Sequence, residues 1–212
     1  MKILCLNTAF SMATVCLENN GKKVFKTLDA DAKSSEKVLP QIEEVLFAEN
    51  LKISDIDFIA VVVGPGSFTG LRIGVALVKG FMSCFPNIKC VAINSLDLIA
   101  YEFIKFNKIE KNFFCIQNAL SGRFFIAKYN KLGKPTSDYS LVNELPKGIL
   151  VGLESEKLDV ATAFISLQPE NLLTFAKTKI ENYEFVETNN LIPVYLRLSQ
   201  AEENLLKKDI KC

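Results

Sequence analysis

Asp57-Phe58-Ile59-Ala60-Val61-Val62-Val63-Gly64-Pro65-Gly66-Ser67-Phe68-Thr69-Gly70-Leu71-Arg72-Ile73-Gly74 is the stretch on which the fold turns. After Asp57, six residues run apolar without alternation, the pattern of a strand buried on both faces. A glycine-rich turn follows, and then an apolar stretch to about Cys84 in which only Arg72 and Lys79 are charged, with Pro86 punctuating its end. Leu71, Gly74, Val75, Val78, Phe81, Met82 and Phe85 fall on one helical face, and Ile73, Leu77, Gly80 and Cys84 on a second. A helix that is apolar on nearly all sides must be covered on nearly all sides. One sheet in a small lobe covers only one face, so Leu71, Val75, Val78 and Met82 are expected against the sheet and Ile73 and Leu77 against a partner. Gly70 with Gly74, and Gly80, offer flat spots where another helix approaches. A central helix enclosed by its own domain is the alternative.

Upstream lie three strand signals, Lys2–Asn7, Ala13–Glu18 and Lys22–Leu28, the last two joined by Asn20-Gly21, which suits the positive φ angles of a two-residue hairpin. Val38, Ile42, Val45 and Leu46 form the stripe of a helix over about Ser35–Glu49, with Leu39 beside it and Pro40 near its start. Downstream, Lys89–Ile93 reads as a strand and Asn94 or Ser95 as the cap of a helix to about Phe106. This order predicts an α/β fold, a mixed sheet with helices on its faces. Residues 1–106, joined by the C-terminal segment 188–212, are expected to form a first lobe. Residues 107–187 form a smaller second lobe, with a hairpin of Phe113–Asn118 and Phe124–Tyr129 around Ser121-Gly122, a strand near Ile149–Gly152 and a helix over Asn171–Glu181. Pro193-Val194-Tyr195-Leu196-Arg197 and a charged Ala201–Lys211 helix form a tail that docks elsewhere.

Histidine is absent from all 212 residues, which removes Ser-His and Cys-His pairs, imidazole metal ligands and the commonest general base. With 25 basic and 24 acidic residues, the chain lacks the surplus that an RNA-gripping protein carries. Six scattered cysteines, Cys5, Cys16, Cys84, Cys90, Cys115 and Cys212, show no paired spacing and read as reduced thiols of a cytoplasmic protein. No apolar stretch reaches membrane-spanning length, and the apolar start reads as a strand, since no small-residue cleavage site follows it.

Loops such as Gly64–Gly70 cradle phosphates where free N–H groups meet a helix start, so Gly64, Gly66, Ser67 and Thr69 are the candidate nucleotide contacts. The Gly-Lys-Ser/Thr ending of a Walker loop is missing, however, and Pro65 removes a donor. A tight βα turn is the favoured reading, and no nucleotide, metal or other cofactor is expected. Asn7 ends the first strand without the charge that a metal-bound nucleotide needs there. Asp55, Asp57, Glu43 and Glu44 read as solvated carboxylates, and Lys105, Lys108 and Lys111 as surface.

Taken with three further regions, Gly64 to Gly74 resembles the hallmark segment of the TsaB family, bacterial tRNA threonylcarbamoyladenosine biosynthesis proteins related to the catalytic TsaD. The three are the strand ending Asn7-Thr8-Ala9, Ser35-Glu36-Lys37-Val38-Leu39-Pro40, and Pro193 to Arg197. The resemblance covers residues 1–100, the tail, and 107–187 in outline. It implies an actin-like ATPase (ribonuclease H-like) fold with two lobes, the C-terminal helix returning to the first. It also implies a non-catalytic subunit in the transfer of threonylcarbamoyl to the adenosine beside the anticodon. Its partners would be a TsaD-like subunit, a TsaE-like ATPase through the complex, a second copy when alone, and tRNA indirectly. The implied docking helices place Ser35, Glu36, Leu39, Glu43, Gly70, Arg72, Ile73, Gly74, Leu77 and Gly80 at the partner. The chain departs from the family at Asn7 (commonly Asp), Ser34 (His) and Asn118-Ala119-Leu120 (Asp-Ala-Arg). An actin-like phosphotransferase using the Gly64–Gly70 loop is the rival reading.

Overall fold

The computed structural model describes residues 1–28 and 34–197. The expected helix over Ala201–Lys211, its return to the first lobe, Cys212 and the side chain of Ser35 lie outside the described residues.

Strands β1 (Lys2–Asn7), β2 (Ala13–Asn19) and β3 (Lys22–Leu28) form an antiparallel meander. Its second turn carries Asn20 at φ 48° and Gly21 at φ 96°, as the hairpin dipeptide requires. Helix α1 (Ser34–Ala48) contains Pro40, so the Glu36 carbonyl loses its helical donor there. Strand β4 (Phe58–Gly64) pairs in parallel with β1, helix α2 spans Phe68–Cys84, and β5 (Lys89–Asn94) pairs in parallel with β4. Helix α3 (Ser95–Phe106) is capped by Asn94, whose Oδ1 accepts from Leu96 N at 2.8 Å. The second sheet contains β6 (Phe113–Asn118), β7 (Phe124–Tyr129), β8 (Ser140–Val142), β9 (Leu150–Leu153) and β10 (Ala163–Ile165), in the order β10-β9-β6-β7-β8. Helix α4 (Pro169–Glu181) precedes β11 (Phe185–Val186).

The first sheet runs β11-β5-β4-β1-β2-β3. Because β11 pairs with β5 and α4 packs on β1, β2 and β5, the chain returns to the first sheet near residue 169, earlier than the expected 188. The stripe Leu172, Leu173, Ala176 and Ile180 has the period of a helix but carries no mark of which sheet it covers.

Strand periodicity divides the first sheet's side chains between two layers. Ile3, Cys5, Ala60, Val62, Val91 and Ile93 join α3, α4 and the second sheet in one cluster, while Leu4, Leu6, Ile59, Val61 and Val63 face α1 and α2. Four of the cysteines, Cys5, Cys16, Cys90 and Cys115, are buried free thiols, and Cys84 is exposed and free. No described helix is long and apolar enough to cross a membrane.

The first sheet ends at β11 on one side and at β3 on the other, and β3 is the longer edge. Its Lys22 and Lys26 pair with Glu49 and Glu44 at 2.6 and 3.0 Å, while Lys23 pairs with Glu170 of α4. Helices on opposite faces thus hold one strand through its lysines.

Candidate functional site

The loop between β4 and α2 is shaped by close backbone approach. A Cβ on Gly66 would overlap the Ala9 carbonyl oxygen, one on Gly70 the Thr8 carbonyl oxygen, and one on Gly74 the Thr8 hydroxyl. A Cβ on Gly64 would sit 2.9 Å from the Val194 carbonyl. Ser67 caps α2, its Oγ accepting from Gly70 N at 3.3 Å, and Ser67 N donates to Ala9 O at 2.9 Å. The tight-turn reading of this segment therefore has a physical basis. It also corrects the account of two glycines: Gly70 and Gly74 face Thr8 of the same chain rather than offering flat spots to a second helix. Gly80 has nothing within 4 Å of its missing Cβ, and it alone of the three faces open space.

A cleft of about 600 Å³ opens between the sheets. The α2 N-terminus and the Thr8–Ser11 turn line one side, Gln117, Asn118, Phe125 and Glu156 line the other, and Arg197 joins them. The two departures Asn7 and Asn118 sit at matching strand ends. Asn7 Oδ1 accepts from Ala9 N at 3.1 Å and Asn118 Oδ1 from Leu120 N at 2.8 Å, so each amide shapes a turn. Tyr195 stacks on Phe68 with centroids 4.6 Å apart, the exposed Arg72 donates from Nε to its hydroxyl at 3.1 Å, and the Arg197 guanidinium lies 5.6 Å from the Phe68 centroid while donating to Ala119 O at 2.9 Å. The final described residues thus tie the second sheet to the start of α2.

Glu156 was not legible in the sequence, being one acid within a charged 154–157 turn. Burial pushes its carboxyl up to about 7, against the opposing hydrogen bonds from Asn118 N, at 2.7 Å, and Gln117. A raised carboxyl favours the protonated fold, so its contribution is full below about pH 4 and is lost as pH rises toward 7. Glu156→Gln is expected to flatten the fall in stability between pH 5 and 8 by about 2 kcal/mol, read as the difference between wild-type and variant urea midpoints across that range. Parallel pH profiles would remove the assignment. Burial also raises Asp97 and Glu102, which are unchanged in Glu156→Gln and so cancel in the comparison.

The second candidate surface is the outer side of α1 and α2. Glu36, Leu39 and Glu43 are exposed on α1, with Phe47 83% exposed beyond them. Leu71, Val75, Val78 and Met82 are buried against the sheet as expected. Ile73 and Leu77 are half-buried, touching the α1–α2 core with one side, so they sit at its margin rather than wholly outside it. A groove of about 360 Å³ lies between α1 and Phe81, lined by Leu39, Ile42, Leu46 and Phe47, while Ile73 lines the cleft between the sheets. Asp57 accepts from Lys2 N at 2.7 Å and Asp55 from Lys52 N at 2.8 Å, which are turn and strand-end roles. Lys105 is exposed, as the surface reading expects, and its ammonium donates to the buried Asn171. Among the described residues no three His, Cys, Asp or Glu side chains are placed to hold a metal.

A Pseudomonas aeruginosa structure described as an uncharacterized protein with similarity to peptidase YEAZ superposes with a TM-score of 0.76 at 21% identity, over 92% of this chain and 99% of that one. With the two mixed sheets and the cleft between them, this defines an α/β protein of the two-lobed actin-like class. The model of a family described as TsaD, tRNA N6-adenosine threonylcarbamoyltransferase, matches residues 28–140. A tRNA threonylcarbamoyladenosine biosynthesis protein TsaB from Buchnera aphidicola (Schizaphis graminum) is 27% identical over 187 residues, covering 84% of this chain and 86% of its own. The Escherichia coli TsaB is 28% identical over 100 residues, 47% of this chain and 43% of its own. The chain belongs to this threonylcarbamoyltransferase family, in its TsaB group.

Proposed function

We propose that this chain serves the synthesis of threonylcarbamoyladenosine in tRNA as a non-catalytic subunit in the cytoplasm, docking a TsaD-like catalytic subunit on its α1–α2 face. The observation that carries this reading is the apolar margin of α2. Ile73, Leu77 and Phe81 lie half-buried beside the fully open Gly80 and the exposed Leu39 and Phe47 of α1, a patch of the kind that marks protein contacts. The names of the relatives supply the process. The same face would pair two copies when the chain is alone, and a TsaE-like ATPase and tRNA would meet the chain through the assembled complex. The non-catalytic assignment rests on the missing histidine and the uncharged Asn7.

Affinity capture of the chain from its own cells, with the TsaD-like subunit found at about equal amounts, tests the docking. Recovery without it overturns the proposal. The purified chain is expected to neither hydrolyse ATP nor transfer threonylcarbamoyl. Turnover that persists through purification and disappears in a point variant of this chain would reassign it as an enzyme.

A further inference from the structure

Two seven-residue stretches of the chain repeat one pattern, with lysine first, fourth and seventh and asparagine third. They are Lys105-Phe106-Asn107-Lys108-Ile109-Glu110-Lys111 and Lys128-Tyr129-Asn130-Lys131-Leu132-Gly133-Lys134. We propose that the end of the second sheet where these stretches meet is a contact surface for the phosphate backbone of RNA. The identity of the polyanion rests on the function proposed above, whose substrate is a tRNA, while the surface itself rests on charge and geometry.

The fold brings the two stretches together. The first runs from the last turn of α3 to just before β6, and the second begins on the last two residues of β7. Phe113 and Tyr129 face each other where the β6–β7 ladder ends, so Lys111 and Lys131 leave the sheet at the same end. The turn after β7 presses on α3, since a Cβ on Gly133 would sit 2.7 Å from Ile104 Cδ1. Rings of Phe103, Phe113 and Tyr129 pass from α3 through β6 to β7, with successive centroids 5.0 and 5.7 Å apart. Asn130 Oδ1 accepts from Leu132 N at 2.9 Å and from Lys134 N at 3.1 Å, which fixes the backbone that carries Lys131 and Lys134.

Within this frame the lysines divide by position. The first of each stretch is committed to the protein: Lys105 donates to Asn171, and the Lys128 ammonium lies 5.8 Å from the Phe114 centroid. The other four, Lys108, Lys111, Lys131 and Lys134, are exposed, and their ammonium groups have no partner among the described residues. Glu110 is the one acid in the two stretches and pairs with none of them. Six lysines against one acid leave the rest of the chain net acidic, so the overall charge of +1 hides a local surplus. Like charges gathered without acids repel, and a polyanion relieves that repulsion while releasing its own counterions. Phe106 and Leu132 are exposed among these lysines, and an aromatic ring there offers a stacking face to an unpaired base. An anionic membrane would also meet the charge, but two apolar side chains give it little area to take up.

The test is the fluorescence anisotropy of labelled, unmodified tRNA titrated with the full chain at salt concentrations from about 30 to 200 mM. Four phosphate contacts, at about 0.7–0.9 each, predict a slope of log affinity against log salt near about −3. The combined variant Lys108→Gln, Lys111→Gln, Lys131→Gln and Lys134→Gln should bind at least about tenfold more weakly at low salt, with a slope no steeper than about −1. These four side chains are exposed, so its thermal melt should match that of the unaltered chain. Arginine at the same four positions should keep the binding, and the exposed control pair Lys52→Gln and Lys157→Gln should leave it unchanged. Affinity capture with the glutamine variant should still recover the TsaD-like subunit, which separates failure of this surface from failure of the docking face. No binding to tRNA at the lowest salt, or binding unchanged in the glutamine variant, overturns the proposal. Loss of the TsaD-like subunit in that variant overturns it as well, by making the patch a protein interface. So does binding to phosphatidylserine vesicles that exceeds binding to tRNA and falls in the same variant.

Discussion

Replacing Leu77 by glutamate is expected to abolish assembly with the TsaD-like subunit, and self-pairing, while the chain remains folded. Leu77 is half-buried at the margin of the α1–α2 core, so in the free chain the new carboxylate reaches water by turning outward. In an assembled interface it is desolvated without a partner, costing several kcal/mol (about 3 or more) of association. The folded chain loses about 1 kcal/mol of packing from the same change. Gly80→Glu separates the two effects more sharply. Nothing lies within 4 Å of the missing Cβ, so a side chain there clashes with nothing inside the chain and gains about 0.5–1 kcal/mol in helix propensity. A variant that melts higher and no longer assembles establishes the face. One that assembles as before moves the interface elsewhere.

Gly70→Ala is expected to be among the most damaging single-methyl additions in the protein. The new Cβ would overlap the Thr8 carbonyl oxygen, a backbone atom at the end of β1 that cannot rotate away. Either α2 lifts off the sheet or β1 bends, and overpacking of this kind costs about 3 kcal/mol, roughly 6–12 °C of melting temperature for a chain of this size. Gly74→Ala differs in mechanism, because its Cβ would meet the Thr8 hydroxyl, which is buried and bonded to nothing. The second change Thr8→Ala should therefore rescue Gly74→Ala and leave Gly70→Ala unrescued, a non-additivity that thermal melts of the two double variants would read directly. Equal rescue of both would show that the helix shifts as a body instead.

The contrast between these glycines marks where the sequence was readable. Helix α2, its sheet-facing stripe and the β6–β7 hairpin followed from periodicity, because apolar spacing reports which residues share a face. Spacing does not report which face is crowded. Gly70, Gly74 and Gly80 all read as flat spots, and only the position of Thr8 assigns two of them inward. Strand β11, at two residues, is too short to carry a pattern, and with it went the point where the chain returns to the first sheet. Of the cleft, the α2 N-terminus was legible as a candidate. Gln117 and Glu156 were not, since one polar residue in a strand and one acid in a turn gain meaning only when the fold buries them.

The three lysines of β3 have a further consequence for colloidal behaviour. An unpaired strand edge invites another chain to add to it, and here Lys22, Lys23 and Lys26 keep charge and tethered helices along that rim. Exposed pairs weaken as salt shortens the Debye length toward about 3 Å at 1 M. The rim is therefore guarded best in dilute buffer, and concentrated salt should bring out sheet-to-sheet clumping that begins at this strand.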